Sequence, residues 1–154
     1  MYEILVNIQH GKMDSAYDQL HQLVEQDDPE AMFWFAKMIY EASILSRPRA
    51  IDYYKISANQ GYPYSFYELS PKGKGCLLYF GDKVCKQENL DKAIKGFEQL
   101  AEQGDLRAQY FLLQQKQWDQ STKTREQYLN EVIRFAKAHY YQPLMDYIDP
   151  SFRS

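Results

Sequence analysis

The chain is short of most residues that announce chemistry or an unusual environment. Its 154 residues include two cysteines, three histidines, six prolines and seven glycines. Two thiols do not make the disulfide framework that braces small secreted domains. Cys76 and Cys85 have a loop across which to pair, but free thiols are the expectation. So few prolines and glycines exclude a low-complexity chain or a long linker. No apolar run approaches the length of a membrane span. The N-terminal "MYEILVNIQHGKMD" lacks a basic leader region, and Asn7 interrupts its apolar stretch. Basic residues form no stripe: 18 Lys and Arg are mixed among 21 Asp and Glu, for a net charge of −3. Binding nucleic acid through counterion release would need such a stripe. The expectation is a cytoplasmic protein, mature from Met1, that engages neither nucleic acid nor membrane.

What is present suits one soluble domain. Hydrophobic residues make up 45% of the chain and charged residues 25%. Aromatic residues are plentiful, with 14 Tyr and eight Phe. Tyrosine buries its ring and leaves its hydroxyl wet, so the excess suits thin helical layers or a contact surface.

Shifting the chain against itself exposes a repeat. "VEQDDPEAMFWFA" begins at Val24, "ANQGYPYSFYELS" at Ala58, "AEQGDLRAQYFLL" at Ala101 and "AKAHYYQPLMDYI" at Ala136, in steps of 34, 43 and 35 residues. Upstream of each start runs the same ladder. It reads Ala16, Tyr17, Leu20, Leu23, Val24, then Ala50, Ile51, Tyr54, Ser57, Ala58. The third and fourth copies read Ala93, Ile94, Phe97, Leu100, Ala101 and Tyr128, Leu129, Val132, Phe135, Ala136. Offsets of 0, 1, 4, 7 and 8 share one helical face, and Ser57 alone breaks the apolar rule. Gly61 and Gly104 stand where a helix end takes a left-handed residue. Asp28 and Asp105 suit the next N-cap, and Pro29 and Pro63 its first turn. Ala31, Ser65 and Ala108 open the second helix with a small side chain, and Pro143 takes that place in the fourth copy.

The spacing predicts antiparallel helix pairs, stacked as an α-solenoid, with helices near 14–26, 29–45, 49–59, 63–70, 89–103, 105–118, 124–139 and 142–148. These form a single domain over 1–154. Residues 1–13 are a capping segment of helical or strand character, with repeat logic favouring the helix. Residues 71–89 are an insertion that breaks the helix through Pro71, Gly73, Gly75 and Gly81, in which "CLLYF" restores a turn. Residues 140–154 are a degenerate C-terminal cap.

From residue 14 to 148 the chain resembles the Sel1-like repeat family, relatives of the tetratricopeptide class. The family pairs A-x-x-x-L-G-x-x-Y with a helix ending in A-A-x-x-G. "GDLRAQYFLL" matches the first through Ala108, Tyr110 and Leu112, and "DKAIKGFEQLAEQG" the second through Ala93, Phe97, Ala101 and Gly104. Ala31, Phe33, Phe35 and Ala36, and then Ser65, Tyr67 and Leu69, carry the other copies. The glycine after the leucine is replaced by Ala36, Ser70 or Leu113. The resemblance implies binding of other proteins, as an adaptor or, in compact bacterial members, as an immunity protein that holds a toxin. Secreted members clasp their helix pairs with cysteines, and Cys76 and Cys85 do not fall at those places.

Catalytic motifs are scarce. His10, His21 and His139 are far apart in the repeat frame, and no zinc or calcium spacing exists, so no metal or other cofactor is expected. "KGKG" at Lys72–Gly75 follows no strand and reads as a loop rather than a phosphate cradle. Cys76 would act as a nucleophile only beside a base, with Lys72, Lys74 and Lys83 the nearby charges. The carboxylates of "DDPE" at 27–30 are accounted for by capping. An enzyme built on Cys76 or His139 is therefore a minor alternative to a binding protein. Phe33, Tyr67 and Tyr110 share one column that the repeat itself fills, and read as core. "AMFWFAKMIY" is apolar on nearly every face, so it must be covered or offer a contact patch. Trp34, Met38 and Phe66 lead the candidates for partner contact, with Tyr64, Phe111 and Trp118 behind them.

Overall fold

The computed structural model describes residues 3, 4, 6, 11, 13–115 and 122–149. Among these every regular element is helical: α1 (Met13–Glu25), α2 (Pro29–Ala42), α3 (Arg47–Asn59), α4 (Pro63–Glu68), α5 (Gln87–Glu102), α6 (Leu106–Gln115), α7 (Thr122–Lys137) and α8 (Gln142–Ile148). Neighbours in sequence pack together, α1 on α2, α2 on α3, α3 on α4 and α7 on α8. The chain divides into two compact units, Met1–Gly96 and Phe97–Ser154, with the boundary inside α5. Glu3, Ile4 and Val6 are helical, and the rest of the expected capping segment, bar Gly11 and Met13, lies outside the described residues.

The corners between paired helices are alike in backbone detail. Asp27, Gly61, Gly104 and His139 are all left-handed, with φ of 61°, 89°, 93° and 63°. These positions stand at the steps found in the sequence. At each corner the left-handed residue donates its N–H to the carbonyl three residues back: Val24, Ala58, Ala101 and Ala136, at 2.8–3.0 Å. The following residue reaches five back, from Asp28, Tyr62, Asp105 and Tyr140 to Leu23, Ser57, Leu100 and Phe135, at 2.9–3.3 Å. This paired pattern satisfies carbonyls that the helix end would otherwise orphan. Asp28 and Asp105 then cap the next helix, accepting the Ala31 and Ala108 N–H at 2.9 and 3.0 Å. The small openers Ala31, Ser65 and Ala108 are fully buried, as is Pro143.

Ser57, the polar rung in an apolar ladder, has a task. Its hydroxyl donates to the Pro29 carbonyl at 2.6 Å and accepts from Ser65 Oγ at 2.7 Å. Both serines are fully buried, so the chain of hydroxyls joins α2, α3 and α4 where an aliphatic side chain would leave Ser65 unsatisfied. Gly96 has a similar hidden role, since a Cβ there would come within 2.8 Å of the Pro63 Cβ.

Helix α2 ends at Ala42, three residues before the expected stop. Ser43 turns extended, and its hydroxyl accepts the Leu45 N–H at 3.1 Å to start a 3-10 turn at Ile44–Ser46. Pro48 has no N–H to carry the helical ladder onward, so α3 begins afresh.

The largest correction concerns the cysteines. Cys76 and Cys85 form a disulfide, with a Cα–Cα distance of 5.8 Å, where free thiols were expected. The insertion folds back on itself: Cys76 opens a π-helical turn, Cys76–Phe80, Gly81 is left-handed at φ 86°, and both cysteines are buried. That distance lies in the range a disulfide requires. Sequence spacing alone could not reveal it, because the approach depends on the turn between. Asn89 ties the ends of the insertion, donating to the Leu69 and Val84 carbonyls at 2.9 Å each. Arg47 fastens its tip, with the guanidinium 3.9 Å from the centre of the Tyr79 ring and 4.5 Å from that of Tyr40.

Candidate partner-binding site

Helix α2 buries Ala31, Met32, Phe33, Phe35, Ala36 and Ile39. That leaves Trp34 and Met38, one helical turn apart, at the edge of the core. Together they line an open hollow of about 530 Å³ between α2 and the start of α1. Ile39 and Ala42 extend its apolar floor, Tyr17 supplies one wall from α1, and Asp14, Lys37 and Glu41 stand around it. Trp34, Met38 and Glu41 follow the i, i+4, i+7 stripe of a helix face, so the sequence did hold a signal for the charged part of this wall.

The indole is fixed but incompletely satisfied. Its ring meets Phe33 edge-on at 5.2 Å, and Lys37 Nζ lies 5.6 Å from its centre. Its Nε1–H is buried without a hydrogen-bond acceptor. A buried donor left unpaired costs about 1–3 kcal/mol. An acceptor from outside would recover part of that if the indole edge were opened.

The other expected contact residues are placed elsewhere. Tyr64 is half-buried on α4 and packs on Phe33 and Tyr62, with ring centres 5.9 and 5.6 Å away. Phe66, also half-buried, has Lys92 Nζ 5.7 Å from its ring. Phe111 belongs to the second unit, where it stacks on Phe97 at 3.9 Å. Trp118 lies outside the described residues. The hollow therefore gathers two of the five candidates that lie among the described residues.

In the column read as core, Phe33 and Tyr110 are buried and Tyr67 is half-buried. Tyr110 donates its hydroxyl to Asp146 Oδ2 at 2.5 Å, and Gln142 Nε2 donates to Asp146 Oδ1 at 2.8 Å. Burial, then this hydrogen bond, push the Tyr110 hydroxyl well above the usual phenol range. Asp146 is a buried carboxylate that sequence reading missed, marked only by its i+4 spacing from Gln142.

Cys76 is bonded and buried and so supplies no thiolate. His139 is exposed at a corner, with Nδ1 3.0 Å from the Tyr141 hydroxyl, and its left-handed backbone accounts for its place. His21 sits on the α1 surface, 3.5 Å from Glu25. No group of three or more potential metal ligands gathers among the described residues. No described helix is long and apolar enough to cross a membrane. Comparison of the chain with protein-family models, with characterised proteins and with solved structures returns no match.

Proposed function

We propose that the protein is a non-enzymatic protein–protein interaction module, a short α-solenoid of Sel1-like helix pairs, which binds one dedicated protein partner at the α1–α2 hollow. The observation that carries this reading is the pairing of Trp34 with Met38 in an open apolar recess, since recesses holding tryptophan and methionine suit an inserted apolar anchor. Two carboxylates, Asp14 and Glu41, face one lysine, Lys37, around it, and the chain carries a net charge of −3. A basic partner is favoured on both counts. The four equivalent corners support the repeat reading. The Cys76–Cys85 bridge weighs against the cytoplasmic expectation, because disulfides persist mainly in oxidising compartments.

The test is purification of the tagged protein from its own cells under mild conditions, alongside Trp34→Ala and Met38→Ala variants checked for helicity. One partner near equal stoichiometry, lost in both folded variants, is the expected result. Growth arrest on removing the gene would narrow the role to immunity against a toxin. Several sub-stoichiometric clients would make it an adaptor instead. A partner retained by both variants would remove the hollow from the reading.

A further inference from the structure

A second hollow lies on the other side of α2, enclosed by the clasped insertion, and its chemistry is different. It measures about 250 Å³. Helix α2 supplies Lys37, Tyr40 and Glu41, α3 supplies Tyr54, and Glu68 stands at the end of α4. The insertion closes it with Lys74, Gly75 and Phe80. A Cβ on Gly75 would overlap the Tyr40 hydroxyl, so only glycine lets this wall approach.

Two observations single this cavity out. Tyr54 is only 3% exposed, yet its hydroxyl makes no hydrogen bond among the described residues, and it faces Glu41, Glu68 and Tyr40. Glu68 is half-buried and has neither a hydrogen bond nor an ion pair among the described residues, although Lys37 and Lys74 line the same space. A carboxylate withdrawn from water with no partner is costly, and the cost falls when a cation pairs with it. Burial, partly offset by the two lysines, holds the Glu68 carboxyl above its ordinary range.

We propose that this cavity binds a small zwitterion of the α-amino-acid class. The ammonium sits against Glu68, with the exposed Glu41 nearer the mouth, the Tyr54 oxygen as a further acceptor and the Phe80 ring as a cation-stabilising wall. The carboxylate faces Lys37 and Lys74, both exposed and so at the mouth. Two anionic and two cationic side chains balance, which matches a ligand of zero net charge. The volume equals that of about eight water molecules and falls below the roughly 300–1,000 Å³ of pockets for larger ligands. A single aliphatic amino acid fits that space and a peptide does not. This inference does not depend on the α1–α2 hollow.

Titration calorimetry on the full, disulfide-bonded chain tests it, with glycine, L-alanine and L-leucine as probes and n-butylamine and butyrate as one-ended controls. Expected is 1:1 binding of at least one amino acid, with the one-ended controls at least about tenfold weaker. Glu68→Gln weakens that binding by about tenfold or more and Tyr54→Phe by a few-fold, while neither lowers the unfolding midpoint by more than a few degrees. In the unaltered protein, the Gly75 amide resonance shifts and saturates along the same titration, a readout that needs no variant. Absence of heat and of any Gly75 shift at millimolar amino acid would overturn the proposal. So would binding that Glu68→Gln leaves unchanged, or n-butylamine binding as tightly as L-leucine, which would make the site one for cations alone.

Discussion

The two hollows beside α2 share Lys37 and Glu41 and differ in almost everything else. One is an apolar recess bounded by two consecutive helices, with Trp34 and Met38 in its wall. The other is half that volume, lined by opposed charges, and closed by a loop that a disulfide holds in place. A single helix carries both because residues around each turn point in different directions: Trp34 and Met38, one turn apart, share one face, and Tyr40 lies on another. The contrast teaches where each kind of recognition is encoded. The apolar recess follows from the repeat itself, while the charged one exists only because the second step is longer than its neighbours.

That contrast can be broken most forcefully at the bridge. Replacing Cys76 and Cys85 together by serine is expected to cost about 2.5–3 kcal/mol, the loop-closure entropy of a ten-residue ring. Urea unfolding measures this, and the charged hollow should lose its ligand while Trp34 fluorescence in the folded state stays as it was. On the apolar side, Trp34→Phe keeps a ring against Phe33 and deletes the unpaired Nε1–H. The expected change is small, from neutral to a gain of about 1 kcal/mol, by the same unfolding assay. A loss beyond about 2 kcal/mol would mean that indole packing outweighs the orphaned donor. Subtlest is the pH signature of Glu68. Its folded pKa is raised by burial, so the ionised form is penalised in the native state above that pKa. Stability from this group therefore rises as pH falls through the folded pKa towards the ordinary carboxylate value, and is flat below both. Glu68→Gln should stabilise the ligand-free protein at pH 7, with an advantage that shrinks in mildly acidic buffer.

The corners were legible in the sequence because they depend on local chemistry. A left-handed residue is easiest for glycine, and Gly61 and Gly104 announced two of the four. Asp27 and His139 carry the same backbone without that marker, and only the repeat step placed them in line. The candidate site was half legible. The apolar run around Trp34 and Met38 had either to be covered or to offer a contact patch, and which face stays open depends on tertiary neighbours such as Tyr17. The charged cavity was illegible for a related reason. Lys37, Tyr54, Glu68 and Lys74 come from four different segments, and each looks like an ordinary helix or loop residue on its own. Ser57 shows how an exception can be informative, since its break in the ladder marked a buried hydroxyl chain rather than a worn repeat.

The longer second step also makes the insertion a cassette. Nine residues beyond a 34-residue period enter between Gly61 and Gly104, and both corners keep the same pair of backbone hydrogen bonds as their neighbours. Glu68 ends one helix before the added loop and Gln87 begins the next after it. The loop between them can therefore be rewritten without retuning the scaffold, in the way an antibody loop is diversified on a fixed framework. New ligand specificities can arise there while the helices, and the apolar recess they build, remain under separate selection.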